Sequence, residues 1–221
     1  MSPSKSRRRR PRKKKSNNKL ILVVAVLAVV VVIIVGYFML GNNSSSEEIP
    51  SNNKIRFETS MGDIVIELRN DMPITTTNFK KLVQQGAYDG TIFHRVIANF
   101  MIQGGDPTGT GQGDPSIPDL QDELSENAEN RKNVRGTIAM AKKSDPNTGE
   151  VVPDSASSQF FINVVNNSNE EFDESYPVFG EVIDGMDIVD SISNVDTDGD
   201  PPNGTNKPLE EVILIKATFV D

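Results

Sequence analysis

The sequence predicts a mainly-β domain, a closed or nearly closed antiparallel barrel with helical caps, preceded by one transmembrane helix. Three observations carry that expectation: a charge-free apolar run at residues 20–40, a succession of short strand-like runs from Lys54 onward, and only two segments with helical spacing among long Gly, Pro and Asp loops. The 221 residues include 23 Lys and Arg, 31 Asp and Glu, one His and no Cys, for a formal net charge of -8. Such a length can bury one sizeable core. Without Cys there is no disulfide framework, thiol nucleophile or zinc–thiolate site, and one His cannot build a multi-histidine metal centre.

The chain opens on a basic arm, residues 1–19, with ten Lys and Arg and no acid. The remainder holds 13 basic and 31 acidic residues, a net −18. Residues 20–40 carry no charge, and at about 1.5 Å rise per residue they extend roughly 30 Å, enough to cross a bilayer's hydrocarbon core. The apolar stretch of a cleaved signal peptide typically covers about 7–15 residues and ends in small residues. This run is longer and ends in Gly-Tyr-Phe-Met-Leu, so an uncleaved anchor is expected. The positive-inside rule keeps the arm cytoplasmic, against anionic lipid, and sends the rest of a single-pass chain to the extracytoplasmic side of the cell membrane. Nucleic acid is not expected as a partner, because the basic run abuts the span and a −18 body repels a polyanion. Residues 41–53 (GNNSSSEEIPSNN) have the composition of a flexible tether, so the folded domain is expected over 54–221. Sequons at Asn42, Asn43, Asn166 and Asn203 are weak signals.

Within the domain, Ile55 to Thr59 and Ile64 to Leu68 alternate around Ser60-Met61-Gly62-Asp63, the pattern of an opening hairpin. Pro73 starts a segment with Phe79, Leu82 and Val83 at helical spacing that closes at Gly86. Further strand-like runs are Thr91 to Ile97, Phe100 to Gln103, Thr137 to Ala141, Gln159 to Val164, Val178 to Ile183 and Val212 to Phe219. A second short helix is expected from Met186 to Ile192.

The stretch Phe93-His94-Arg95-Val96-Ile97-Ala98-Asn99-Phe100-Met101-Ile102-Gln103-Gly104-Gly105-Asp106 resembles the signature of the cyclophilin family of peptidyl-prolyl cis-trans isomerases. Four further blocks agree in the family's order: Gly109-Thr110-Gly111, Gly136 to Ala141, Ser158 to Ile162, and Val178-Phe179-Gly180. The resemblance covers about Lys54 to Asp221. It implies an eight-stranded antiparallel closed β-barrel capped by two α-helices, a site in a groove outside the barrel, proline-containing polypeptides as substrates, and a monomeric catalytic domain assisting protein folding.

The reaction itself constrains the residues. Rotation about an X-Pro amide faces a barrier of roughly 18–20 kcal/mol, because amide resonance must be broken. No bond is cleaved, so no metal, cofactor or nucleophile is required. The catalyst must hold the ring and stabilise a twisted amide whose nitrogen gains a lone pair. A guanidinium can donate to that lone pair, the role the resemblance assigns to Arg95. It also assigns Gln103 to the substrate carbonyl, Phe100, Met101, Phe161 and Phe172 to the proline pocket, Gln159 to the groove, and Ala141 and Lys142 to substrate backbone. His94 reads as structural, since rotation needs no net proton transfer. The alternative from another class is a proline-binding or chaperone-like scaffold without turnover, against which the intact Arg95 motif argues.

Four departures from the best-known family pattern stand out. Glu171 stands where many eukaryotic members have Trp, Tyr176 stands in the groove where they have His, and Lys142 replaces an Asn. The connection from Ser144 to Ser157 is longer than usual. Asp196, Asp198 and Asp200 resemble the opening of a calcium loop, but Pro201 and Lys207 occupy the positions where an EF-hand needs Gly and Glu, so that reading is rejected.

Overall fold

The computed structural model describes residues 48–221. The basic arm, the apolar run 20–40 and most of the tether lie outside the described residues. Among the described residues, no helix is long and apolar enough to cross a membrane.

The opening alternation forms the expected hairpin. Strand β1 (Lys54–Thr59) pairs antiparallel with β2 (Gly62–Leu68), and their inward residues Ile55, Phe57, Ile64 and Ile66 are fully buried. Helix α1 (Pro73–Gln84) begins with Pro at its first position, where a missing N–H costs nothing, and ends before Gly86, whose φ of 69° lets the chain turn away. Its Phe79 enters the core, with its ring centroid 4.9 Å from Tyr88 and 5.0 Å from Phe179. Each such fully buried ring contributes on the order of 2–3 kcal/mol through apolar area removed from water.

Seven further strands complete the sheet: β3 (Thr91–Ile92), β4 (Arg95–Ile97), β5 (Met101–Gly104), β6 (Thr137–Met140), β7 (Phe160–Asn163), β8 (Val178–Asp184) and β9 (Ile213–Phe219). Their order is β3-β9-β1-β2-β8-β6-β7-β5-β4, antiparallel throughout. Two expectations are corrected here. The run Thr91 to Ile97 is two strands, which makes nine strands rather than eight among the described residues. The closed barrel is a curled sheet whose edge strands, β3 and β4, share no ladder. They are joined through Phe93-His94 and flanked by a single bridge between Ile92 and Asp106. The break has a long-range cause: the Phe93 N–H is taken by Val212 on the β9 side and the Val96 N–H by Asn206, so one run serves opposite edges.

The two-helix expectation is also corrected. Helix α2 (Glu170–Ser175) lies between β7 and β8, and α3 (Met186–Ser193) follows β8, giving three α-helices among the described residues, besides a 3-10 turn at Ala128–Arg131. A six-residue helix is too short to show apolar periodicity. Its start is set by Asn169, whose side chain accepts from the Phe172 N–H.

The long connection from Ser144 to Ser157 folds back on itself. Ser144 bridges Val151, the Asp145 N–H donates to Glu150, and the Val152 N–H donates to Lys143. The Asp196 to Asp200 stretch is a turn held by Asp198, whose carboxylate accepts from Thr205 and from the Lys207 N–H.

Candidate active site

Strand alternation divides the sheet into two faces. Val96, Ile102, Ile138, Phe160 and Ile162 point into the main core, and their neighbours point the other way. On that outer face the register aligns Arg95 with Gln103, Gln103 with Phe161, and Phe161 with Ala139, one residue on each of β4, β5, β7 and β6. Met101 and Val178 join Phe161 and Ala139 in a second, small apolar cluster.

Aromatic side chains wall this cluster. Phe172 stands 5.9 Å, centroid to centroid, from both Phe100 and Phe161. Tyr176 lies 4.6 Å from Phe172 and meets Phe161 edge-on at 5.6 Å. Both come from α2 and its C-terminal cap, the helix that periodicity did not reveal. The result is an apolar cluster on the outer face, half-exposed at Phe100, Phe172 and Tyr176 and flanked by Arg95, at the position where the resemblance puts the proline pocket.

A polar relay runs from that cation. Arg95 Nη1 donates to Gln103 Oε1 at 3.2 Å, Gln103 Nε2 donates to Gln159 Oε1 at 2.9 Å, and Gln159 Nε2 donates to the Gly111 carbonyl at 3.1 Å. The guanidinium therefore orients the Gln103 amide so that its second N–H is free to donate. Burial draws the Arg95 pKa down and the nearby Tyr176 offsets part of that. A guanidinium keeps its charge regardless.

The far end of the relay is anchored by Asp106, which is fully buried. Its carboxylate accepts from Thr108 N and Oγ1 at 2.9 and 2.8 Å, from Gly111 N at 2.7 Å and from Gly113 N at 3.2 Å. Burial pushes the Asp106 pKa up, but these donors outweigh it and hold the group below the usual carboxylate range. Gly111 has a φ of 79°, and a Cβ there would sit 3.2 Å from the His94 ring, so only glycine lets the ring lie against this loop.

His94 is 8% exposed, and no hydrogen bond of normal geometry closes on either ring nitrogen. Burial lowers its pKa, Arg95 lowers it further, and Asp106 and Gln159 oppose the shift without cancelling it. A neutral, packed ring agrees with a structural role.

Beside the apolar pocket lies a recess of ≈ 380 Å³ lined by Gln103, Gly111, Gln159, Ala141 and Lys142, with Ile117, Pro115 and Pro118 among its outer walls. The Ala141 N–H is spent on the Gln159 carbonyl. The Lys142 side chain is only 4% exposed, with its ammonium 2.6 Å from Asp122. A ligand contact at Lys142 therefore falls to its backbone. Of the ten expected site residues, Arg95, Gln103, Phe100, Met101, Phe161, Phe172 and Tyr176 converge on the pocket, and Gln159, Ala141 and Lys142 on the recess, with Gln103 shared. Ala139, Val178 and Asp106 were not anticipated. Period-two alternation from Phe161 and Ala141 would have indicated Ala139. Asp106 closes the signature stretch, but nothing in that stretch states its role in anchoring the relay.

The comparisons with known proteins agree with this geometry. Residues 54–219 match the family described as "Cyclophilin type peptidyl-prolyl cis-trans isomerase/CLD". The chain is 44% identical over 151 residues to a peptidyl-prolyl cis-trans isomerase of Acinetobacter baylyi, covering 66% of this chain and 75% of that one. It is 40% identical over 164 residues to the human peptidyl-prolyl cis-trans isomerase-like 1, covering 74% and 90%. Among solved structures, a cyclophilin type peptidyl-prolyl cis-trans isomerase of Cryptosporidium parvum superposes with a TM-score of 0.64 at 32% identity, covering 77% of this chain and 98% of that one. A second structure of that protein, in the presence of the dipeptide Ala-Pro, has the same TM-score of 0.64 and covers 76% and 99%.

Proposed function

The chain belongs to the cyclophilin-type peptidyl-prolyl cis-trans isomerase family, and on that premise we propose that it turns X-Pro amides at the Arg95 pocket in exported or membrane-proximal polypeptides, assisting their folding. The single observation that carries the site is the cross-strand row Arg95, Gln103, Phe161 and Ala139, which sets a fixed cation beside an apolar pocket on the sheet's outer face. The proline ring enters among Phe100, Met101, Phe161 and Phe172. Arg95 donates to the prolyl nitrogen as it pyramidalises, and the free Gln103 N–H donates to the substrate carbonyl. Ala141, Lys142 and Gln159 present backbone and amide groups to the residues preceding proline.

The arrangement is preorganised, which is what makes a charged donor effective. The Gln103–Gln159–Gly111 relay and the Asp106 loop hold the guanidinium's partner in place, so little reorganisation accompanies rotation. Uncatalysed isomerisation takes tens of seconds or longer, slow enough to delay folding of a newly exported chain. The basic arm and the apolar run support the membrane context.

A protease-coupled assay on Ala-Ala-Pro-Phe anilide peptides, with the full chain in mild detergent, tests the activity at this site. Turnover of the cis prolyl isomer that vanishes in Arg95→Ala is expected. A chain that binds the peptide without accelerating rotation would turn the reading into that of a prolyl-peptide scaffold.

A further inference from the structure

A buried amide network lies behind the proline pocket, in none of the positions the reaction uses. Asn163 and Asn133 are fully buried. Asn163 Nδ2 donates to Asn133 Oδ1 at 3.1 Å and to Thr137 Oγ1 at 2.9 Å, and its Oδ1 accepts from Asn167 Nδ2 at 2.7 Å. Asn133 Nδ2 donates onward to the Tyr176 carbonyl at 3.1 Å and to Asp173 Oδ1 at 3.2 Å, while its backbone N–H reaches the same carboxylate oxygen at 2.7 Å. Asn167 Nδ2 also donates to the Phe100 carbonyl at 2.9 Å.

The two ends of this network are the two walls of the pocket. One end is the backbone of Phe100. The other is α2, through Asp173 and Tyr176, the helix that carries Phe172. Its centre, Asn163, pairs across strands with Met101 and lies two residues along β7 from Phe161, so it shares their frame. An apolar side chain at Asn163 could fill the same space, yet it would leave Asn133 Oδ1 without its donor and deprive Asn167 Nδ2 of one of its two acceptors. A helix of six residues has little stability of its own, and its distance from the sheet must be imposed from outside.

We propose that Asn163, with Asn133 and Asn167, is a positioning unit that sets the width of the proline pocket by tying the Phe100 backbone to α2, and so determines the size of ring the enzyme accepts. This rests on the assignment of the Phe100, Phe161 and Phe172 pocket to the proline ring. Cutting the network lets Phe172 and Tyr176 move away from Phe100. A five-membered ring then loses contact, and a six-membered ring gains room.

The test compares the full chain with Asn163→Ala and Asn167→Ala, on matched Ala-Ala-Pro-Phe and Ala-Ala-pipecolyl-Phe peptides. Asn167 is only half-buried, so that variant keeps the test open where Asn163→Ala fails to fold. Affinity for each peptide is read by NMR titration of the folded protein and turnover is read in parallel. The expected result is a loss of prolyl affinity of about three- to tenfold, the scale of one or two lost hydrogen bonds, with no matching loss for the pipecolyl peptide. The ratio of the two affinities must therefore shift toward the larger ring. A folded variant with an unchanged ratio, or one that loses both peptides equally, overturns the proposal. Turnover separates this from the functional reading: a shifted ratio in a chain with no turnover removes the catalytic assignment and keeps the positioning unit, and an unchanged ratio with normal turnover does the reverse.

Discussion

At the scale of single residues, Arg95 and His94 are adjacent in sequence and opposite in use. Arg95 faces the pocket, contributes little to the core, and is held by one hydrogen bond to Gln103. Arg95→Ala should therefore cut turnover by about a hundredfold or more, equivalent to at least about 2.7 kcal/mol of barrier, while circular dichroism and the unfolding midpoint stay near those of the parent. Retention of half the parental rate would remove Arg95 from the mechanism. His94 faces the other way, against Gly111, with Asp106 and Gln159 favouring its proton and burial and Arg95 opposing it. Its folded pKa lies below its unfolded value, so the unfolded chain takes up the proton first. Stability from the neutral ring is full above the unfolded pKa of about 6.5 and falls as pH drops through that value toward the lower folded pKa. The depressed carboxylate Asp106 acts in a separate window, losing its contribution only below the ordinary carboxylate range of about 4. Urea unfolding at pH 7.5 and 5.5 should show a loss for the parent that shrinks in His94→Gln; an equal loss in both would show that another group titrates.

At the scale of elements, what could be read from the sequence followed the reach of each signal. The hairpin, α1 and the long strands β8 and β9 were legible, because alternation, helical spacing or a run rich in apolar and β-branched residues extends over several positions in each. The division of Thr91 to Ile97 was not, since it depends on Val212 and Asn206, more than 100 positions away, taking the N–H groups of Phe93 and Val96. Helix α2 is a single capped turn and a half, and its one local mark is Asn169. The site residues came through the family motif, and their convergence depended on a register that no local pattern states. The long connection shows a further consequence of element-scale packing. Lys142 at the end of β6 is buried against Asp122, Asp122 N–H donates to Asp154 at 2.6 Å, and the Leu120 N–H donates to Ala156 at 2.7 Å, so the ion pair locks two loops at the edge of the recess. Asp122→Ala leaves the ammonium buried without a partner and should cost about 2–3 kcal/mol in urea unfolding, below the full range for a buried pair because Asp122 is 30% exposed. Adding Lys142→Met should recover most of that loss. A double variant as unstable as the single one would mean that the loops, and not the buried charge, set the cost.

At the scale of the whole molecule, charge and topology decide what the enzyme can act on. In the sequence, the basic arm and the acidic remainder flank an uncharged run of 21 residues, and the proposed membrane topology follows from that division. On the topology proposed above, the arm would be held by anionic headgroups on the cytoplasmic side, and the −18 remainder would be repelled by them on the other. Asn52 and Asn53 are bonded to the domain through Val220 and Leu68, so on the proposed topology residues 41–49 would extend at most roughly 30 Å and hold the Arg95 pocket close to the membrane surface, where exported chains would emerge with their X-Pro bonds still equilibrating. Protease added to intact cells or spheroplasts should then digest an epitope tag placed after Asp221 and spare one placed after Ser2. A tag protected at Asp221 would put the domain in the cytoplasm, and recovery of a soluble form beginning near Gly41 would make the apolar run a cleaved leader. Either result would leave the isomerase assignment intact and move its substrates elsewhere, because the pocket's chemistry is set within the folded domain while the proposed clientele rests on the 40 residues that precede the tether.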